Sequence, residues 1–246
     1  MRYVGIIPAR YASSRFPGKP LCDLLGKPMI QRVFESASKW QQWEYLCVAT
    51  DSQEIYDCCD ELKIPCVMTK DTHVDCIDRC YEVAVRLRRD GITGDRYVII
   101  QGDEPLFDSR VLDVDLSPEV VNLYTAVKDN NEIDDPNCVK VVVSNSERAI
   151  YFSRFSIPHF NKKTARATEE NRVLKQIGVY SLSLDRLKFF HDTSPTFLEN
   201  KEGIGMLRFI ENDIDVNMRY TQYDSISVDT PNDRKKVIDI LRERGV

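Results

Sequence analysis

The sequence predicts an α/β fold in one domain spanning residues 1–246: a mostly parallel central sheet flanked by helices, Rossmann-like in plan. Three observations predict it. Short apolar runs rich in β-branched and aromatic residues recur at positions 3–7, 45–49, 66–68, 97–100 and 139–143. The first four are separated by stretches with helical spacing, and strands alternating with helices build a parallel sheet. No repeat, low-complexity tract or linker divides the chain, and its length fits a single α/β domain carrying a lobe.

Met1 leads almost directly into the first strand, Val4-Gly5-Ile6-Ile7, rather than into a signal peptide. A loop from Pro8 to Pro20 follows. Beyond it Met29, Ile30, Val33, Phe34 and Ala37 share one helical face, with Pro28 suited to the opening turn, so a crossover helix connects the first two strands. Residues 108–135 are rich in acids and turn formers and read as a solvated surface. Residues 151–175 hold Tyr-Phe-Ser-Arg, Ile157-Pro158 and a basic run (Lys162, Lys163, Arg166, Arg172, Lys175) that reads as an exposed loop. The last helix follows Thr230-Pro231-Asn232-Asp233: Thr230 caps, Pro231 takes the first helical position, and Val237, Ile240 and Leu241 form the buried face.

Composition narrows the partners. A formal net charge of −5 disfavours nonspecific binding to nucleic acid or an anionic membrane, and no apolar run reaches the roughly 18 residues that span a bilayer. Small-molecule substrates and a cytoplasmic location are expected, with no nucleic-acid or membrane partner. The eight cysteines include no CxxC pair and read as reduced thiols. Cys76 and Cys80, one helical turn apart with His73 nearby, are the nearest approach to a metal pair and read as structural. No cysteine is a nucleophile, and His73, His159 and His191 read as structural or substrate contacts.

Chemistry concentrates in the loop Pro8-Ala9-Arg10-Tyr11-Ala12-Ser13-Ser14-Arg15-Phe16-Pro17-Gly18-Lys19-Pro20. It leaves the carboxyl end of a strand, where open α/β sheets bind ligands. Its small residues admit phosphate to the backbone N–H groups, and Arg10, Arg15 and Lys19 neutralise a triphosphate. Asp103 follows the strand at 97–100 and projects into the same crevice. Asp229 precedes the final helix. Two carboxylates facing a nucleotide suit magnesium, which takes oxygen ligands and keeps several waters. For Asp229, position alone leaves a plain helix N-terminal acid equally open.

The run from Ile6 to Pro28, IIPARYASSRFPGKPLCDLLGKP, closely resembles the amino-terminal signature of the 3-deoxy-manno-octulosonate cytidylyltransferases, the CMP-Kdo synthetase family of lipopolysaccharide biosynthesis. Further strings occur in the family's order: Val48-Ala49-Thr50-Asp51, Gln101-Gly102-Asp103-Glu104-Pro105, Asn137-Cys138-Val139-Lys140-Val141, Tyr151-Phe152-Ser153-Arg154, Gly178-Val179-Tyr180 and Val228-Asp229-Thr230-Pro231. The resemblance covers essentially the whole chain. It implies a nucleotide-diphospho-sugar transferase-like fold and a homodimer, with residues 137–180 as a dimerisation and acceptor lobe. The implied activity is transfer of CMP from CTP, with Mg2+, to the anomeric hydroxyl of a 3-deoxy sugar acid.

Residue by residue, the resemblance implies Arg10, Arg15, Lys19 and Asp103 as catalytic and Asp103 and Asp229 as metal ligands. Nucleotide contacts fall on Pro8, Ala9, Arg10, Ser13, Ser14, Arg15, Lys19, Arg79 and Asp103. Acceptor contacts fall on Arg79, Gln101, Gln176, Tyr180, Gly205 and Met206. The chain departs from the family at Asp75-Cys76-Ile77, where Ser-Gly-Thr is usual, at Gln176 in place of histidine, and at Gly205-Met206 in place of glutamate-glutamine. These departures are expected to cluster on the acceptor side, so an altered acid, such as a modified octulosonate, a nonulosonate or a phosphonate, is the alternative substrate. A transferase for another nucleotide and a silent nucleotide-binding protein of the same fold are the further alternatives.

Overall fold

The computed structural model describes residues 1–12, 15–159 and 173–245. Ser13, Ser14 and the basic residues Lys162, Lys163, Arg166 and Arg172 lie outside the described residues. In chain order the elements begin with β1 (Tyr3–Pro8), the two-residue strands β2 (Asp23–Leu24) and β3 (Lys27–Pro28), α1 (Met29–Ala37), β4 (Trp43–Thr50), α2 (Gln53–Glu61), β5 (Cys66–Met68), α3 (Cys76–Arg89) and β6 (Arg96–Ile100). They continue with β7 (Val120–Ala126), β8 (Lys140–Val143), β9 (Ala149–Ser153), β10 (Leu174–Leu182), α4 (Leu184–Asp192), α5 (Phe197–Glu202), α6 (Met206–Ile210), β11 (Asn217–Tyr220) and α7 (Pro231–Glu243).

The main sheet runs β11-β7-β10-β6-β1-β4-β5, with β8 paired to β10 and β9 paired to β8. The four strands read from the sequence form its parallel half: β1 pairs with β4 and β6, and β4 with β5, all parallel. Period-two alternation places their side chains on opposite faces. Val4, Ile6, Tyr97 and Ile99 pack with Val83 and Leu87 of α3, Phe190 of α4 and Phe209 of α6. Ile7, Val48, Val98 and Ile100 pack with Ile30 and Val33 of α1 and Ile55 of α2. Each such buried side chain contributes about 1.5–3 kcal/mol, which accounts for the apolar run Val4-Gly5-Ile6-Ile7 in β1.

Three expectations change. Residues 108–135 are not simply a solvated surface: they contain β7, where Val120, Val121, Asn122 and Leu123 are at most 1% exposed. Its seven-residue run is flanked by acids that mask it in a windowed reading. The mostly parallel sheet stands, and β10 enters it antiparallel to both β6 and β7. Lys175 is not an exposed loop cation: it lies in β10, with its side chain 6% exposed and Nζ at 2.6 Å from Glu132 and 2.9 Å from Asp224. Pro28 caps α1 and pairs with Asp23 rather than occupying the first helical position.

A small third cluster joins Leu24, Met29, Leu106, Val228, Val237 and Leu241, docking α7 against the segment that follows β6. The start of α7 is fixed by a capping box. The Asp233 N–H donates to Thr230 Oγ1 (3.3 Å), and the Thr230 N–H donates to Asp233 Oδ2 (2.9 Å), an arrangement that contributes about 1 kcal/mol. Asp229, one residue earlier, thereby has a fixed position. No helix among the described residues is long and apolar enough to cross a membrane.

Candidate active site

The loop after β1 bends back on itself, the Gly18 N–H donating to the Tyr11 carbonyl (2.9 Å). Gly18 has φ +68°, and a Cβ there would also lie 3.1 Å from the Tyr11 ring, so glycine suits both the turn and the packing. The chain then enters a short 3-10 turn, Lys19–Leu21, with Pro20 buried, which directs the Lys19 side chain inward. Lys19 Nζ lies 2.6 Å from Asp103 Oδ2, 3.1 Å from Asp229 Oδ1 and 3.1 Å from the Val228 carbonyl. Burial opposes its charge, but Asp103 and then Asp229 outweigh burial and raise its pKa above the ordinary lysine value. The Val228 N–H donates to the Asp103 carbonyl (2.8 Å), so the backbone itself ties the two carboxylate-bearing segments together.

Arg15 reaches across from the same loop, with Asn137 Oδ1 at 2.6 Å and Asp229 Oδ1 at 3.0 Å. Arg10 is exposed at the rim. Together with Pro8, Ala9, Lys19, Pro20, His73, Val74, Asp75, Cys76, Arg79, Gln101, Gly102, Asp103, Gly203 and Asp229 they line a cavity of about 380 Å3. Arg79 is 3% exposed and held from behind by Asp51 (2.6 Å), Thr69 and the Lys70 carbonyl (3.3 Å).

A second cavity of about 560 Å3 lies on the other side of Asp103 and Asp229, lined among others by Gln101, Glu104, Asn137, Lys175, Gln176, Gly178, Tyr180, Asp224 and Ser225. Gln101, Asp103 and Asp229 belong to both cavities and form the partition between them. A bulge in β10 between Ile177 and Tyr180 shapes the second wall. The buried Asn122 amide repairs the interrupted ladder, its Nδ2 donating to the carbonyls of Ile177 (3.0 Å) and Val179 (2.8 Å). A Cβ at Gly178 would stand 2.4 Å from Glu104 Oε1, so this close approach requires glycine. Glu104 is 8% exposed and its Oε2 finds no partner among the described residues. Burial, and next the charge of Asp103, push its pKa up to about 8.

Most of the residues singled out from the sequence meet here, with three corrections. Arg79 lines the first cavity and not the second, which separates it from the residues expected beside an acceptor. Gly205 and Met206 line neither. Met206 is 1% exposed and packs in the core, because α6 turns Met206, Leu207 and Phe209 inward and is anchored by Arg208, bonded to Glu199 (2.7 Å) and the Phe190 carbonyl (2.6 Å). The departures from the family pattern also do not cluster on one side: Asp75 and Cys76 face the first cavity, and Gln176 the second. Gln176 Nε2 donates to Asn122 Oδ1 (2.9 Å). Sequence reasoning missed the Val228 carbonyl, which no residue type signals, and Gly203. Burial raises the Cys76 thiol well above its ordinary pKa, in keeping with a thiol that is not a nucleophile.

The donors around Lys19 Nζ are two carboxylates and one carbonyl, all oxygen and already converging on a cation. Such a set fits a hard divalent ion completed by phosphates and water. Among the described residues no group of three or more His, Cys, Asp and Glu side chains gathers to hold a metal by protein ligands alone.

A family model described as cytidylyltransferase matches residues 4–219. The chain is 41% identical to a 3-deoxy-manno-octulosonate cytidylyltransferase of Nitratidesulfovibrio vulgaris strain DP4, covering 97% of this chain and 96% of that protein. It is 36% identical to a mitochondrial 3-deoxy-manno-octulosonate cytidylyltransferase of Arabidopsis thaliana, covering 100% and 85%. The solved structure of a CMP:2-keto-3-deoxy-manno-octonic acid synthetase complexed with CTP superposes with a TM-score of 0.86 at 32% identity, covering 99% of this chain and 100% of that one. An inositol-1-phosphate CTP transferase from T. maritima, 14% identical with a TM-score of 0.68, shares the fold.

Proposed function

We propose a reaction from one premise: this chain belongs to the cytidylyltransferase family, and within it to the 3-deoxy-manno-octulosonate cytidylyltransferases. It is a nucleotidyltransferase that transfers CMP from CTP to a 3-deoxy sugar acid and releases pyrophosphate. What supports a residue-level account is the partition of Gln101, Asp103 and Asp229 between two cavities. CTP occupies the first, which carries Arg10, Arg15 and Lys19, and the acceptor occupies the second. The anomeric hydroxyl attacks the α-phosphorus across the partition and gives up its proton to solvent, the bond from the α-phosphorus to the α–β bridging oxygen breaks, and pyrophosphate takes the electron pair.

Lys19 leaves its carboxylate partners to hold charge at the α-phosphate, while Arg10 and Arg15 bind the departing phosphates. Asp103 and Asp229, with the Val228 carbonyl, would hold magnesium, which would supply Lewis acidity toward the phosphate oxygens and the attacking hydroxyl. Gln101, Gln176 and Tyr180 orient the acceptor. The enzyme acts in the cytoplasm on small molecules.

The test is pyrophosphate release from CTP and magnesium with a panel of acids: 3-deoxy-manno-octulosonate, its amino-substituted analogues and a nonulosonate. Release with an octulosonate and a clear preference for CTP over UTP are expected. No release with any acid overturns the assignment. A second reading, an acceptor bearing an amino group, is favoured by Asp129 and Asp135, which line the second cavity besides the Glu132 and Asp224 carboxylates held by Lys175, and by Glu104 Oε2, which has no partner among the described residues. A kcat/KM at least about tenfold higher for the amino-substituted octulosonate selects it.

A homodimer forms through the β9 edge. Among the described residues this strand pairs with β8 alone, and Ile150 within it and Phe155 just beyond its end are 55% and 82% exposed. Sedimentation is expected to give a dimer, and Phe155→Asp to shift it toward monomer; a monomeric wild-type protein refutes the interface.

A further inference from the structure

The segment between β5 and α3 walls the first cavity with Val74, Asp75 and Cys76, and Val74 is 86% exposed, offering an apolar surface on which a base can lie. What keeps this segment in place is His73. Its side chain is 6% exposed, with Nδ1 2.7 Å from Asp78 Oδ2 and Nε2 2.5 Å from Glu82 Oε2, both carboxylates one or two turns along α3. A neutral imidazole has one N–H and one lone pair, and a lone pair facing a carboxylate oxygen repels it. Both contacts are attractive together only when both ring nitrogens carry protons.

The surroundings keep the carboxylates ionised. Burial opposes the charge of Asp78, but the His191 imidazole, with Nδ1 at 2.5 Å from Oδ1, and then His73 outweigh it and lower its pKa. Burial likewise opposes Glu82, while His73, the Lys70 N–H (3.0 Å) and Arg86 lower it. His191, which reaches Asp78 from α4, also packs against the Tyr81 ring (4.8 Å between centroids). The far flank of the segment is held by Arg79 through the Lys70 carbonyl.

We propose that His73 is a positioning residue: clasped between Asp78 and Glu82, it holds the 73–76 wall in the form that receives the nucleoside of CTP. This rests on the assignment of the first cavity to CTP. His73 touches no reacting atom, so its effect falls on CTP binding and not on the chemical step. Removing the ring, or the carboxylate of Glu82, opens the clasp and loosens the wall. Glu82→Gln keeps it closed, because the amide oxygen still accepts from the ring.

The experiment measures KM for CTP and kcat for wild type, His73→Ala, Glu82→Ala and Glu82→Gln, with melting temperatures alongside. His73→Ala is expected to raise KM about tenfold with kcat changed less than about twofold. Glu82→Ala raises KM in the same way even if His73→Ala folds poorly, and Glu82→Gln keeps KM within about twofold of wild type. A wild type that turns over no CTP overturns the assigned reaction and this proposal with it. A wild type that turns over CTP, with KM for both His73→Ala and Glu82→Ala within about twofold of its own, or with kcat falling as far as KM rises, overturns this proposal alone.

Discussion

Asp103→Asn is expected to lower kcat by about three orders of magnitude while the protein stays folded. The carboxylate ends the partition between the cavities, 2.6 Å from Lys19 Nζ, and is one of two that converge on a cation there. An amide of the same shape keeps the packing and still accepts from Lys19. It removes one of the two negative charges that, in the proposed reaction, would hold a divalent ion against the triphosphate. The loss therefore appears in turnover and in the magnesium concentration needed for half-maximal rate, and far less in CTP binding by the cationic loop. Because the Asp103 side chain is 26% exposed, the folded state has little to lose. Pyrophosphate release under saturating CTP reads the effect, and calorimetric titration with CTP separates it from binding. A kcat within about tenfold of wild type removes Asp103 from the chemistry.

Lys19→Met is expected to move two quantities in opposite directions: kcat/KM for CTP falls by about two to three orders of magnitude, and the affinity of the nucleotide-free protein for magnesium rises. The ammonium is 13% exposed and neutralises Asp103 and Asp229. Its pKa is raised, so it remains charged throughout the working range and competes with any other cation for those oxygens. Methionine preserves much of the stem's packing and leaves two carboxylates facing each other without a counter-charge. Magnesium then binds more readily to a site that no longer transfers CMP efficiently. Isothermal titration of the nucleotide-free variant reads the first change and steady-state kinetics the second. Unchanged magnesium affinity contradicts the competition, and unchanged kcat/KM contradicts the catalytic role.

Side chains whose chemistry is scarce were the most legible in the sequence. Lys19, Asp103 and Asp229 stand far apart along the chain, but an ammonium in a small-residue loop and acids at a strand end and a helix start have few purposes together, and the fold brings them to one point. The parallel half of the sheet was legible for a similar reason: its runs are apolar on both faces, since both faces are covered. The antiparallel β10 was not, because nothing in its alternating pattern encodes which neighbours it pairs with. The same ambiguity misplaced Lys175, whose partners Glu132 and Asp224 are remote in sequence. Met206 was misread because a position inferred by alignment says nothing about which way a five-residue helix turns, and the Arg208–Glu199 pair decides that turn only in three dimensions.

The partition also has an evolutionary reading. The first cavity hangs mainly on β1 and the start of α3, whereas Gln176, Gly178 and Tyr180 of the second belong to β10 and its bulge. With the two cavities assigned as proposed, acceptor preference can drift through substitutions on one strand while the nucleotide machinery is inherited unchanged, and among the described residues only Gln101, Asp103 and Asp229 are answerable to both substrates. On that assignment, a lineage that adopts a new acceptor acid needs to rewrite β10, not the enzyme.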